Sequence, residues 1–256
     1  MKKIIPVLAV LAIVFLGCKK DDPKPDPVDP GPQEQGTVSL DFRNMVGDQD
    51  LVFNQYYLNP SADSFKVSKF NYYISNVVLV KADNSTFVQP ESYFVVRHPD
   101  IRKLTLTNVP PGTYNRIRLL IGVDSTRNTS GAQTGGLDLA SNGDMFWSWN
   151  SGYIFMKIEG SSPASGADSK ALTFHIGGFK GEYRTQRSVE ISLGSTPLVV
   201  NNNQAIVNLK ADLNEVFTSP HAVDFSSFYY QMQPGEGAKK LADNYSNMIS
   251  LESVQN

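Results

Sequence analysis

The chain has 256 residues, of which 41% are hydrophobic and 19% are charged, so it can bury one sizeable core in a single domain. Its 23 basic and 25 acidic residues give a formal net charge of -2, without the basic surface that nucleic-acid binding requires. DNA and RNA are therefore not expected as partners.

Residues 1 to 18 are typical of a bacterial lipoprotein signal peptide. Lys2 and Lys3 precede an apolar run that ends at Leu16, which is too short to cross a bilayer of ~30 Å as a permanent helix. The ending Phe-Leu-Gly-Cys is similar to a lipobox, with Phe at its first position. We expect Cys18, the single cysteine, to be acylated, which leaves no thiol in the mature domain for a disulfide, a nucleophile or a metal site.

Residues 19 to 36 are predicted to form a linker. Lys19 stands where an aspartate would retain a lipoprotein at the inner membrane, and Lys20-Asp21-Asp22 is similar to a surface-export signal of Bacteroidetes lipoproteins. The following DPKPDPVDPGPQEQG favours extended polyproline II geometry, as in a spacer. The expected location is the outer membrane, with a lipid anchor and a periplasmic or cell-surface domain.

Residues 37 to 256 are predicted to be one all-β domain, an antiparallel β-sandwich. Short runs rich in β-branched and aromatic residues recur every ~8 to 15 residues and are separated by Gly, Pro and Asn clusters. Asn201 to Asn203 is expected to be a hairpin tip. The predicted strands lie at residues 38 to 42, 65 to 80, 92 to 97, 103 to 107, 114 to 123, 153 to 159, 171 to 176, 187 to 193, 198 to 200 and 205 to 209.

One helix is predicted, at the C-terminal end of the domain. From Gly237 to Ile249 the apolar residues follow i, i+3, i+4, i+7 spacing, which gives one buried face. We expect this helix to pack on the sandwich.

The stretch MFWSWNSGYIF at residues 145 to 155 holds both tryptophans of the chain. If it is extended, Met145, Trp147 and Trp149 share one face, and Asn150-Ser151-Gly152 forms a turn. The strand that follows would place Ile154, Met156 and Ile158 on one face. From the residues alone, this is either a packed core hairpin or a binding surface.

This stretch, together with IGVD at 121 to 124, Asn128, and FHIGG at 174 to 178, resembles the MbnP-like family of copper-binding proteins. The motifs are separate and stand in the same order as in the family. The chain is identified as similar to a lipoprotein branch of that family, and the resemblance implies a β-rich domain that handles copper.

The resemblance also implies a metal site. Within FHIGG, the alternation of a strand directs His175 away from the apolar side, and the family associates this histidine with the metal. The family oxidises a tryptophan of the Trp-x-Trp motif to kynurenine, so Trp147 or Trp149 would supply a donor, and Met145 could add a thioether. Copper(I) accepts such soft donors at low coordination number. The modifying partner would be a di-haem peroxidase-like enzyme.

One family ligand is missing from this sequence. Copper-binding members carry a histidine directly after the Asn, whereas Asn128 is followed by Thr129, and the cysteine pairs of many members are absent. His98, His221 or Met145 could substitute. A fold that is retained without the metal, as a surface-exposed glycan- or protein-binding module, is the alternative.

Other chemistry has little support in the sequence. Asp124, Asp138 and Asp144 offer oxygen ligands of the kind calcium prefers, but their spacing is not that of an EF-hand. No nucleophile elbow or catalytic ordering of Ser, His and Asp stands out, so the protein is not expected to be an enzyme.

Overall fold

The structure is a computed structural model that describes residues 34 to 150 and 152 to 256. The predicted signal peptide with Cys18, and most of the predicted linker, lie outside the described residues. Among the described helices, none has the length and apolar character needed to cross a membrane.

Strands make up most of the regular structure. Their bounds are β1 Gly36–Val46, β2 Gln49–Asp50, β3 Tyr56–Leu58, β4 Ser64–Lys81, β5 Thr86–Val88, β6 Tyr93–Arg97, β7 Lys103–Val109, β8 Gly112–Ile121, β9 Phe146–Trp147, β10 Gly152–Tyr153, β11 Met156–Ser161, β12 Ala171–Ile176, β13 Arg187–Ser192, β14 Leu198–Val200, β15 Gln204–Asp212, β16 Tyr230–Gln231 and β17 Ile249–Gln255.

The helical elements are short, apart from one near the C-terminal end. The α-helices are α1 Ser125–Asn128, α2 Leu139–Asn142 and α3 Glu236–Tyr245, and turns of 3₁₀-helix lie at Gly135–Leu137, Gly143–Met145 and Leu213–Phe217. The first two α-helices belong to the long connection between β8 and β11, which carries the tryptophan stretch.

Two sheets face each other across the main core, so the predicted all-β sandwich is confirmed. The smaller sheet has the order β17, β15, β1, β2, with β7 also paired to β1. The larger sheet has the order β13, β8, β4, β11, β12, β16, with β14 on β8 and with β3, β5 and β6 on β4. Phe42 of β1 meets Tyr72 of β4 edge to face, with 6.1 Å between ring centroids, and the Tyr72 hydroxyl donates to Asn44 Oδ1 at 2.9 Å.

Pairing departs from the predicted antiparallel pattern in two places. β1 lies parallel to β15, and β12 lies parallel to β16. A parallel pair needs a long connection rather than a hairpin, and residues 47 to 203 provide one between β1 and β15. The predicted hairpin tip at Asn201 to Asn203 is wrong for a related reason. β14 pairs with β8 and β15 pairs with β1, so this turn carries the chain from one sheet to the other.

The larger sheet has a second, smaller core on its outer face. In β4, Tyr72 belongs to the main core while the adjacent Tyr73 belongs to the second, and both are fully buried. Because adjacent strand residues point to opposite faces, the sheet is covered on both sides here. The second core contains Tyr73, Val95, Val123, Leu137, Met145, Trp147, Tyr153, Ile154 and Phe155.

The predicted C-terminal helix packs on the core, but it ends earlier than predicted. α3 ends at Tyr245, and the chain turns to form β17, which pairs with β15. Tyr245, Met248 and Ile249 keep helical spacing, which is why the sequence pattern extends the helix too far. In the structure Asp212 donates its backbone N–H to Met248 O at 2.9 Å, and β17 covers the otherwise open edge of β15.

Replacing Leu241 tests the packing of α3. Leu241→Ala removes a fully buried side chain, so the free energy of unfolding should fall by about 2 to 5 kcal/mol in urea denaturation. Lys240→Ala, on the exposed face of the same helix, breaks only a surface pair with Glu236 and should change it by less than about 0.5 kcal/mol. Equal losses in the two variants would contradict the buried-face assignment.

Candidate functional site

The tryptophan stretch forms a small hairpin that lies on the second core. Trp147 of β9 pairs with Gly152 of β10, and Phe146 pairs with Tyr153. Ile154 donates its backbone N–H to Met145 O at 2.8 Å, and Tyr153 donates its own to Asn128 Oδ1 at 3.2 Å. The Asn of the family motif therefore fixes the hairpin rather than facing a ligand.

Trp147 is buried, with 3% of its surface exposed. Its six-membered ring packs on Gly177, where an added Cβ would lie 2.8 Å from Trp147 Cζ3 and 2.6 Å from Tyr153 O, so only glycine fits. Among the described residues its Nε1 has no hydrogen-bond partner. A buried N–H without a partner is unfavourable by about 1 to 3 kcal/mol, which makes this atom unusual in the structure.

Trp149 lies in the turn after β9 and is 62% exposed. Met145 and Trp147 share the second core as predicted, but the prediction that Trp149 shares their face is wrong. The turn begins at Ser148 instead of Asn150, so the alternation of a strand stops before Trp149. The predicted turn falls partly on residue 151, outside the described residues. The two indoles still touch, with ring centroids 5.5 Å apart and planes tilted by 41°.

The strand after the hairpin is interrupted. Ile154 and Phe155 stand between β10 and β11, where Phe155 donates its N–H to Ile176 O at 2.7 Å. Ile154 joins the second core while Met156 and Ile158 join the main core, so the prediction that the three share a face is wrong. This interruption allows the chain to pass from the hairpin on the outer face into β11 of the larger sheet.

His175 points to the outer face of β12, as predicted, while Phe174 and Ile176 lie in the main core. It is buried, with 7% exposed, and its Nε2 lies 2.9 Å from Glu159 Oε1. A carboxylate accepts hydrogen bonds, so Nε2 carries the proton and Nδ1 carries the lone pair. Burial lowers the pKa of His175 below its ordinary value of 6.5, only partly opposed by Glu159, and the ring is neutral at pH 7.

Lys157 lies directly across from His175 on β11 and is only 8% exposed. Its Nζ donates to Asp144 O at 2.8 Å, and burial lowers the pKa of its ammonium group. Arg97 donates to both carboxylate oxygens of Asp144, at 2.7 and 2.9 Å, and holds the pKa of that carboxyl below its usual range. These contacts tie the segment before Met145 to the sheet.

The candidate donors lie along one side of the larger sheet. His175 and Gly177 alternate onto the same side of the strand, and Trp147 packs where a side chain of residue 177 would be. Met145 joins Trp147 in the second core. Thr129 is exposed at the end of α1, and its hydroxyl donates to the backbone oxygen of Thr126 at 3.1 Å. It therefore supplies no donor in place of the family histidine.

The remaining histidines and the loop carboxylates have other contacts. His98 Nδ1 lies 3.4 Å from Asn44 Nδ2, and His221 Nε2 lies 3.4 Å from Asp243 Oδ2. Asp124 caps α1, and Asp138 caps α2. In the part of the chain that the structure describes, no three His, Cys, Asp or Glu side chains lie close enough to hold one metal ion. A calcium site built from the loop aspartates is thus not formed.

The nitrogen of His175 and the sulfur of Met145 are donors of the kind that a soft ion accepts. The pairing of His175 with Glu159 is the arrangement in which metal-bound histidines are commonly held, with the second ring nitrogen free to bind. Met145 offers a thioether, which copper(I) accepts. The N–H of an intact indole is not a metal donor, so Trp147 would contribute only after oxidation of its ring.

A groove of about 430 Å³ opens beside the hairpin. Half of its lining residues come from segments without a motif and were not predicted from the sequence. Glu159 and Lys157 were not predicted to lie beside His175, because alternation with Ile158 places them on the outer face of β11 but does not show that β11 pairs with β12. The lining residues are Trp147, Trp149, Asn150, Gly152, Gly178, Phe179, Lys180, Tyr183, Gln233 and Pro234.

Comparison with known proteins gives one family. Residues 35 to 233, more than half of the chain, match the family model described as MbnP. No curated protein matches the chain. Among solved structures, MbnP from Methylosinus trichosporium is similar, with 16% sequence identity and a TM-score of 0.48 over 72% of this chain and 78% of that chain.

Single-tryptophan variants test the different burial of the two indoles. Trp149→Phe retains the buried Trp147, so acrylamide should quench its fluorescence weakly. Trp147→Phe retains the exposed Trp149, so quenching should be strong and its emission should lie at longer wavelength. Similar quenching constants in the two folded variants would contradict the described hairpin.

Proposed function

Because the chain belongs to the MbnP family over residues 35 to 233, we propose that it is a non-enzymatic protein of the bacterial cell envelope that binds copper. The observation that carries the proposal is the pairing of His175 with Glu159 on the side of the sheet where Trp147 packs against Gly177. This arrangement has a neutral imidazole and a buried tryptophan on the same side of the sheet, and residues 34 to 256 contain no cysteine.

The oxidation state follows from the donors. Imidazole and thioether suit copper(I), which accepts few ligands, whereas zinc would require thiolates or further histidines. The ammonium of Lys157, buried on the same face, repels a divalent ion about twice as strongly as a monovalent one, which also favours copper(I). His175 is the principal ligand in this proposal, and Met145 is the second.

Trp147 is the better candidate for conversion to kynurenine. It is buried and its Nε1 lacks a partner among the described residues, whereas Trp149 lies mainly in solvent. Two molecules of hydrogen peroxide would open the indole between C2 and C3 in a four-electron oxidation, which adds two oxygen atoms to the ring carbons and releases two molecules of water. Hydrolysis would then release the formyl carbon as formate and leave an aryl amine. A di-haem peroxidase-like partner would supply this chemistry.

Copper titration of the protein from its native host tests the proposal. We expect one tightly bound copper(I) per chain in competition with a chelator, and loss of that site in His175→Ala. Glu159→Gln should weaken binding by about 10- to 100-fold, because it removes the group that orients the imidazole. His221→Ala is the matched control and should bind normally.

Mass mapping of the peptide around residues 145 to 157 reports the state of both indoles in the same preparation. Absence of copper, unchanged titration of His175→Ala and two intact indoles together would refute the copper proposal.

The proposed location in the cell envelope rests on the sequence around Cys18. The acylated chain should fractionate with membranes, and Cys18→Ser should release the domain into the soluble periplasmic fraction because it cannot be lipidated. Metabolic labelling with a fatty-acid analogue gives an independent readout. Unchanged membrane fractionation of the variant would contradict the lipoprotein assignment.

A further inference from the structure

The groove beside Trp149 has exposed aromatic faces on a concave surface. Trp149 is 62% exposed and Tyr183 is 41% exposed, which is unusual for side chains of this size. The side chains of Phe179 and Pro234 form an apolar part of the wall, and those of Asn150 and Gln233 contribute amide groups. Its volume of about 430 Å³ lies within the range of about 300 to 1,000 Å³ typical of small-molecule sites.

The walls of the groove are held in place by backbone contacts. Ser125 donates its hydroxyl to Phe179 O at 2.5 Å, and Thr185 donates its N–H to Gly178 O at 2.9 Å. Gly178 has a φ of +136°, and a Cβ there would lie 2.7 Å from Tyr183 O, so only glycine permits this close approach. A rigid groove loses little conformational entropy when a ligand binds.

The charge of the lining selects among ligand classes. Lys180 is the single charged group among the described lining residues, which include no carboxylate. Its Nζ already lies 5.6 Å from the centre of the Phe179 ring, the position that a cationic ligand would take. The carboxylates of Glu182 and Glu236 lie near the Tyr183 hydroxyl and raise its pKa, so they offset the charge of Lys180 and a neutral ligand is favoured.

We propose that this groove binds a carbohydrate chain of neutral, equatorially substituted pyranoses. The C–H face of such a sugar is flat and apolar and stacks on an exposed indole or phenol ring, while its hydroxyls pair with amides such as those of Asn150 and Gln233. The aromatic and amide groups are the two components that such a ligand requires. This inference goes beyond copper binding, since the groove shares only Trp147 with the proposed copper site and does not include His175 or Met145.

The position of the groove suits a ligand in solution. The described chain enters at Gly36, next to Val109 and Val200, near the Gly112 end of β8. The groove lies beyond the other end of β8, where Ser125 bonds to Phe179. β8 has 10 residues, so the two places are separated by roughly 30 Å at about 3.3 Å per residue. The groove and Gly36 therefore lie near opposite ends of the described domain.

Fluorescence titration with cellohexaose, chitohexaose and maltohexaose tests the proposal. At least one of them should quench Trp149 and shift its emission to shorter wavelength in a saturable way. Trp149→Ala should abolish binding measured by calorimetry, and Tyr183→Ala should weaken it by about tenfold or more. Trp149→Phe, which keeps an aromatic face, should retain part of the affinity.

Two controls separate this site from the copper site and from misfolding. Tyr230→Ala removes an equally exposed aromatic side chain outside the groove and should bind the sugar normally. His175→Ala should lose copper and keep the sugar. The proposal is overturned if none of the three oligosaccharides shifts the emission, or if folded Trp149→Ala binds as tightly as the unchanged protein.

Discussion

Tyr73 is the residue on which the outer layer of the molecule depends. Its backbone N–H donates to Phe155 O at 2.8 Å and its carbonyl accepts from Gly122 N at 3.0 Å, which joins both ends of the long connection to β4. Its hydroxyl donates to Gly136 O at 3.0 Å, in the middle of that connection, and its ring meets Tyr153 edge to face. Burial raises the pKa of Tyr73, so the hydroxyl stays protonated and remains a donor. One buried residue thus fixes the start and end of the connection through its backbone and the middle through its side chain.

The strands and the direction of His175 could be predicted because they follow from local alternation. β12 and β14 occur at the predicted residues, and Phe174 and His175 face opposite sides of the sheet as the pattern requires. What alternation cannot show is which strands are neighbours. The parallel pairing of β1 with β15, and the turn that crosses between sheets at residues 201 to 203, depend on contacts between distant segments.

Only part of the candidate functional site could be predicted from the sequence, for the same reason. Glu159 and Lys157 reach His175 by strand pairing across β11 and β12, and no spacing along the chain reports that pairing. The groove is assembled from the hairpin, the segment after β12 and the segment before α3, and no sequence pattern indicates that these three segments meet. The position of Trp149 was predicted wrongly for a different reason. Its motif is clear, but the turn begins two residues earlier than predicted, and Trp149 therefore lies in solvent.

The contrast between the two tryptophans argues that the hairpin is more than packing. A ring that only filled the second core could be phenylalanine, which has no N–H to leave unpaired. Instead, the buried Nε1 of Trp147 has no hydrogen-bond partner among the described residues. Because residue 177 is a glycine, the ring can approach the backbone there closely. Buried polar groups without partners are rare in native structures and call for a reason at the position where they occur. The close approach to Gly177 is a packing contact of the six-membered ring, whereas packing does not explain the unpaired Nε1, which is consistent with the proposed conversion of Trp147.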